Sequence, residues 1–118
     1  MLREDQVYIR HILDAAEKAI GFVKGRARED LEKEEMLALS LVRLLEIIGE
    51  AAGGVSTDCS KKYPDIPWKK MVGLRNRLIH GYYDIDLDIV WDTVMSDLPG
   101  LVAGLKEILP EGEEDTDS

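Results

Sequence analysis

Apolar residues recur at three- and four-residue steps through most of the chain, which is the spacing of one face of an α-helix. A first predicted helix runs from about Ile9 to Val23 and ends near Gly25. A second, at about residues 29–55, is apolar on more than one side. We therefore expect it in the middle of a bundle or in an interface. Its main seam has a regular four–three spacing: Leu37, Leu41, Leu44, Ile48, Ala51 and Val55.

Two more helices are predicted in the second half of the chain. After a polar connector at residues 56–67, a short helix is expected from about Pro67 to His80, with Asp65 as its N-cap. A fourth helix begins at about Asp86 and reaches Ile108. It is expected to be kinked or split at Pro99, because proline removes a backbone hydrogen bond. No strand pattern is evident, so the fold class is all-α, with four to five helices.

Composition adds limits on the class of protein. The 118 residues suffice for one domain, expected at residues 1–109, and the apolar runs are too short to span a membrane. The single cysteine, Cys59, excludes a disulfide framework or a cysteine-based zinc site, and favours a reducing cytoplasm. Residues 110–118 are expected to form a mobile acidic tail, since they carry five acidic residues and nothing to bury.

The charge is unevenly distributed along the chain. The net charge is −9, yet residues 61–80 contain six basic residues against Asp65 alone. Such separation indicates an anionic partner, although a solvated helix face would also explain it. The basic residues of this window are Lys61, Lys62, Lys69, Lys70, Arg75 and Arg77, and the four lysines are candidate RNA-binding residues.

Arg75 is the first candidate for chemistry. On a regular helix it would lie on a mainly apolar face, where a guanidinium needs a carboxylate partner. Glu46 and Glu50, one turn apart on the second helix, are the candidate partners. A purely structural ion pair is an equally good interpretation of this pattern.

His80 is the second candidate. An imidazole in the last turn of its helix, near arginines, is suited to acid–base work on a phosphodiester. One histidine does not make an acid–base pair, and His11 on the first helix is interpreted as structural. A two-fold dimer would bring two copies of His80 into one cleft. No metal-ligand set is recognisable, and no cofactor is expected.

The segment from Arg75 to Tyr82 resembles the Arg-x4-His-x-Tyr motif of HEPN-domain toxins of the HepT type. The similarity continues in Glu46-Ile-Ile-Gly-Glu50-Ala, in Pro64-Asp-Ile-Pro-Trp68 and in Asp86-x4-Trp91, over roughly residues 5–108. It implies a dimeric, up-and-down helical bundle with a metal-independent ribonuclease cleft.

The same resemblance implies roles for individual residues. Arg75 and His80 would be catalytic, and Asn76, which falls between them, would orient His80 or the phosphate. Tyr82 would be the residue to which a partner nucleotidyltransferase of the MNT type, acting as antitoxin, transfers AMP.

Helix geometry raises one difficulty with these roles. Five residues separate Arg75 from His80, which is about 140° around a regular helix and about 7.5 Å along it. Either the helix loosens near His80 and Gly81, or the cleft combines the arginine of one protomer with the histidine of the other. Arg77, three residues before His80, would share its face.

Two functions remain in competition. The first is an RNA endonuclease toxin that cleaves through attack of a ribose 2′-hydroxyl, with AMP on Tyr82 as the inhibitory modification. The second is a non-catalytic helical subunit that binds a nucleotide or a nucleotidyltransferase. The acidic surface with one basic window agrees with both.

Overall fold

A computed structural model describes residues 1–80 and 84–110 of the chain. In that part, the protein is almost entirely helical, in agreement with the predicted all-α class. Besides one five-residue π-helical turn, Thr93–Asp97, the elements are α1 (Arg3–Val23), α2 (Asp30–Lys33), α3 (Glu35–Gly54), α4 (Thr57–Lys62), α5 (Trp68–Val72), α6 (Leu74–Leu78), β1 (Ile79–His80), β2 (Asp84–Ile85), α7 (Leu87–Asp92) and α8 (Leu98–Ile108).

The core lies between α1, α3 and α8, with α5, α6 and α7 packed against α3. The predicted first helix is confirmed as α1, and Gly25 follows it with a positive φ of 75° that suits glycine. The second predicted helix divides at Glu34 into α2 and α3. Both sides of α3 contribute to the core, as its pattern predicts, through Ala38, Leu41, Val42, Leu45, Ile48, Ala51 and Ala52.

The predicted helix from Pro67 to His80 is wrong in three respects. It is interrupted at Gly73 between α5 and α6, and it ends at Leu78. Asp65 is not its N-cap, since Pro67 occupies that position without a side-chain cap. The helix ends early because Ile79 and His80 pair with Ile85 and Asp84 in a short antiparallel hairpin, a long-range pairing that local periodicity does not contain.

The fourth predicted helix begins as expected but is interrupted before its proline. The Asp86 side chain caps α7 by accepting a hydrogen bond from the Ile89 N–H, at 3.1 Å. The π-helical turn separates α7 from α8, and Pro99 is at the start of α8. A wider turn before a proline is reasonable, because the ring clashes with the carbonyl one turn earlier.

Two close contacts fix the positions of the short helices α4 and α5. Gly49 on α3 lies against α5, where a Cβ atom would be 2.8 Å from the Met71 carbonyl oxygen. The buried Asp5 on α1 accepts hydrogen bonds from the backbone and hydroxyl of Ser56, at 2.8 and 2.7 Å, and so fixes the start of α4. None of the described helices has the length and apolar character to cross a bilayer. The acidic tail from residue 111 onward lies outside the described residues.

Candidate active site

The segment that carries the proposed chemistry, residues 74–80, contains both buried apolar and exposed polar residues. Leu74 and Leu78 are buried and attach α6 to the core, whereas the polar residues between and after them are exposed. The exposed residues are Arg75, Asn76, Arg77 and His80. The five-residue helix α6, held by two buried leucines, thus presents three groups that could contact a phosphodiester, and β1 presents the fourth, His80.

Arg75 reaches back to α3. Its Nε lies 3.2 Å from Oε2 of Glu46, and Oε1 of the same glutamate lies 3.8 Å from Nη1 of Arg43. Glu50 faces Arg43 instead, at 3.4 Å. Glu46 is therefore the partner of Arg75. The expectation of an arginine on an apolar face was wrong, because the Arg75 side chain is 68% exposed.

His80 is on β1 and not on a helix, so the expected effect of a helix dipole does not apply. Its Nε2 lies 3.6 Å from Oδ2 of Asp86, and its side chain is 62% exposed. Sequence reasoning treated Asp86 only as the start of a helix and part of a motif. The signal that could have indicated this contact is weak, since the pairing of His80 with Asp84 across the hairpin is what brings Asp86 near.

The loosening of the helix near His80 was one of the two solutions proposed for the spacing of Arg75 and His80. The helix does end before His80, and Ile79 is extended, with φ −121° and ψ 124°. Arg75 and His80 nevertheless contact different carboxylates, Glu46 and Asp86. Within the described residues, the site consists of two separate contacts, Arg75 with Glu46 and His80 with Asp86.

The four candidate RNA-binding lysines lie at the ends of two short helices. Lys61 and Lys62 end α4, and Lys69 and Lys70 are in α5. Lys61, Lys69 and Lys70 line one open depression of about 520 Å³. Lys70 is also 3.2 Å from Asp97, and the Lys62 ammonium lies 5.5 Å from the centre of the Tyr63 ring.

The remaining sequence-based candidates do not add to this site. Tyr82, the expected modification residue, lies outside the described residues. Cys59 is buried. Its burial and, to a smaller extent, the nearby Asp5 carboxylate raise the pKa of its thiol, so it is a poor nucleophile. Among residues 1–80 and 84–110, no three His, Cys, Asp or Glu side chains are grouped so that they could hold a metal ion.

The described residues form a mainly helical domain with an exposed arginine and histidine on adjacent short elements and a lysine-lined depression on α4 and α5. These features define a class of small helical domains with exposed basic groups. Comparison with known proteins gives the family. The model of the family described as "Ribonuclease HepT-like" matches residues 12–108. The chain therefore belongs to the HepT-like ribonuclease family.

Relatives agree with this assignment. A candidate RNase of Caldanaerobacter subterraneus subsp. tengcongensis is 38% identical over 108 residues, which cover 92% of this chain and 96% of the relative. A candidate RNase of Methanocaldococcus jannaschii is 39% identical, over 82% of this chain and 89% of its own length. A candidate ribonuclease HepT of Thermococcus cleftensis is 35% identical, over 86% and 92%. No solved structure matches the chain.

Proposed function

We propose that this protein is a metal-independent RNA endonuclease whose site contains Arg75 and His80. The observation that carries the proposal is the burial pattern of α6 and β1. Leu74 and Leu78 are buried, whereas Arg75 and His80 are exposed. An exposed guanidinium and imidazole can reach a bulky polyanion, which a buried pair could not. Membership of the HepT-like ribonuclease family supports RNA as the substrate.

The proposed reaction is attack of a ribose 2′-hydroxyl on the neighbouring phosphorus. His80 accepts the hydroxyl proton as the 2′-oxygen forms its bond to phosphorus, and Arg75 stabilises the negative charge of the phosphorane. The bond from phosphorus to the 5′-oxygen then breaks, and that oxygen takes up a proton. The products are a 2′,3′-cyclic phosphate and a 5′-hydroxyl end.

The supporting residues have distinct tasks in this proposal. Glu46 orients Arg75 through the 3.2 Å contact. Arg43 contacts both Glu46 and Glu50, and so holds Glu46 in turn. Asn76 and Arg77 are exposed and free to bind the phosphates that flank the cleaved bond. The lysines of the depression on α4 and α5 would bind the RNA backbone further along the strand, through charge and without base specificity.

We further propose a toxin–antitoxin role for this nuclease. A homodimer would supply the second His80 that donates the proton to the 5′-oxygen. A nucleotidyltransferase of the MNT type would serve as antitoxin by transferring AMP to Tyr82. A cytoplasmic location follows from this role, since both the RNA and the ATP that supplies AMP are found there.

The first experiment is incubation of the purified protein with total RNA and with tRNA in EDTA. We expect cleavage in EDTA, with cyclic phosphate ends. His80→Ala and Arg75→Ala should each lower the rate by about 100-fold or more, as expected for loss of an acid–base group or a charge stabiliser. His11→Ala and Arg3→Ala, which change exposed residues on α1, are the matched controls.

We do not expect the loss of cleavage in Arg75→Ala to result from unfolding. Arg75 is largely exposed and Glu46 keeps Arg43, so Arg75→Ala should lower the free energy of unfolding by less than about 1 kcal/mol. Circular dichroism during urea unfolding checks this. Cleavage that is lost in EDTA and restored by a divalent ion would contradict the metal-free mechanism. Absence of any cleavage by the wild type would favour the non-catalytic subunit.

A further inference from the structure

Asp86 uses its two carboxylate oxygens for two different tasks. Oδ1 accepts the backbone N–H of Ile89 at 3.1 Å and caps α7, and Oδ2 lies 3.6 Å from Nε2 of His80. The Asp86 backbone N–H also donates to the Leu78 carbonyl, at 2.7 Å. Because the cap and this backbone bond hold the residue from both sides, the oxygen that faces His80 has a defined direction.

Another carboxylate competes for His80. Asp84 is directly opposite His80 in the hairpin, and side chains of paired residues lie on the same face. Asp84 is exposed and is not a cap, whereas the Asp86 side chain is 31% exposed and anchored. The carboxylate oxygen within 4 Å of the His80 ring belongs to Asp86. The two aspartates therefore carry the same charge near the same imidazole but differ in how firmly they are held.

It is Nε2 of His80, and not Nδ1, that faces Asp86, and this determines which nitrogen can accept a proton. A neutral imidazole carries one proton, and the nitrogen that faces a carboxylate keeps it as the donor. With Nε2 toward Asp86, the proton lies on Nε2 and the lone pair of Nδ1 is free. The 3.6 Å separation is longer than a direct hydrogen bond, as is common in catalytic sites without substrate.

We propose that Asp86 is the positioning residue of the nuclease site, holding His80 so that Nδ1 is the nitrogen that takes the proton. This inference rests on the proposed function for its role in catalysis. As the 2′-oxygen bonds to phosphorus, its proton moves to Nδ1 and the ring becomes a cation that Asp86 stabilises. Asp86 touches neither the RNA nor the reacting atoms.

The decisive variant is Asp86→Asn, because asparagine caps a helix as well as aspartate does but carries no charge. It should retain the cap of α7 and lose the partner of His80. We expect the kcat for RNA cleavage to fall about tenfold or more with KM little changed, as for removal of an aspartate that orients a catalytic histidine. Asp84→Asn is the matched control, and its kcat should remain within about twofold of the wild type if only Asp86 orients the ring.

A second readout is independent of activity. Long-range proton–nitrogen NMR correlations of the ¹⁵N-histidine-labelled protein distinguish the two neutral tautomers, and His80→Ala separates the signals of His80 from those of His11. We expect the Nε2–H form for His80 in the wild type and in Asp84→Asn, and a mixture of both forms in Asp86→Asn. Thermal unfolding should show similar midpoints for the three proteins.

The outcomes separate this inference from the nuclease proposal. A wild-type protein with the Nδ1–H form, or an Asp86→Asn variant with an unchanged NMR pattern or full kcat, would overturn the role of Asp86. In these cases cleavage by the wild type would still support the nuclease. The expected tautomers in a protein that cleaves no RNA would support the contact with Asp86 and overturn the nuclease.

Discussion

Arg75 and His80 each face a carboxylate that a different element supplies, Glu46 from α3 and Asp86 from the end of the hairpin. The Arg75 and His80 side chains are 68% and 62% exposed, so neither pair is buried enough to contribute much to stability. Their value is in orientation. Each side chain keeps a preferred direction without losing access to a substrate, which is the requirement for a site that acts on a polyanion.

At this scale, the sequence predicts one of the two pairs and not the other. A guanidinium near an α-helix with two glutamates one turn apart points to Glu46 or Glu50, and the structure selects Glu46. The contact of His80 with Asp86 crosses the hairpin. Helical periodicity cannot predict it, because it depends on where the chain stops being helical.

Tyr82 is the residue at which we predict regulation by attachment of AMP. Only Gly81 separates it from His80 in the sequence, so an attached AMP would be tethered close to the proposed base. Its phosphate would repel an RNA phosphate by several kcal/mol at the intermediate dielectric of such a cleft. We expect incubation with a nucleotidyltransferase of the MNT type and ATP to add AMP to Tyr82 and to abolish RNA cleavage.

Mass spectrometry of the digested protein checks the position of the AMP. Tyr82→Phe should acquire no adduct and should keep its cleavage activity in the presence of the nucleotidyltransferase. Tyr83→Phe is the matched control and should be modified as the wild type is. An adduct on Tyr83 alone, or none from a partner shown to be active, would disprove this form of regulation.

At the scale of elements, the long helices follow from local pattern and the short ones do not. The sequence predicts α1, α3 and the start of α7 because their apolar spacing, or the cap residue Asp86, is local information. The break at Gly73 lies between two helices that both pack against α3, and the hairpin after Leu78 depends on the pairing of Ile79 and His80 with Ile85 and Asp84. The exposed position of Val72, 52% accessible, was likewise not predicted, since the buried residues of α5 are Trp68 and Met71.

The contact between α3 and α5 depends on Gly49. A Cβ atom at this position would be 2.8 Å from the Met71 carbonyl oxygen, and a backbone atom cannot move aside as a flexible side chain can. We expect Gly49→Ala to push α5 away from α3 and to lower the free energy of unfolding by about 1–3 kcal/mol, as overpacking does. Urea unfolding followed by circular dichroism measures the change.

Gly53→Ala is the matched control one turn further along α3. A Cβ atom there meets nothing within 4 Å, so the higher helix propensity of alanine should leave stability unchanged or raise it by up to about 1 kcal/mol. Equal effects of the two substitutions would contradict the close approach at Gly49. If Gly49→Ala is destabilised as expected, its RNA cleavage should also fall, because α5 leads directly into the segment of Arg75.

At the scale of the whole molecule, exposed apolar residues lie on the two helices, α3 and α5, that position the candidate site. On α3, Met36 and Leu39 are 84% and 50% exposed, and they continue at helical steps into Arg43 and Glu46. Val72 lies exposed on α5, three residues before Arg75. Exposed apolar residues next to charges of both signs are typical of a protein–protein interface, and they support the proposed homodimer.

The dimer is the last prediction. We expect light scattering at micromolar concentration to give twice the 13.3 kDa mass of one chain. Replacing both Met36 and Leu39 by lysine places two like charges in the proposed interface. The product should be a folded monomer that no longer cleaves RNA, because each site then lacks the second His80. Phe22→Lys, at a 44% exposed apolar position near the end of α1, is the control and should remain an active dimer. A wild-type monomer, or a doubly substituted monomer with full activity, would show that one chain forms a complete site without its partner.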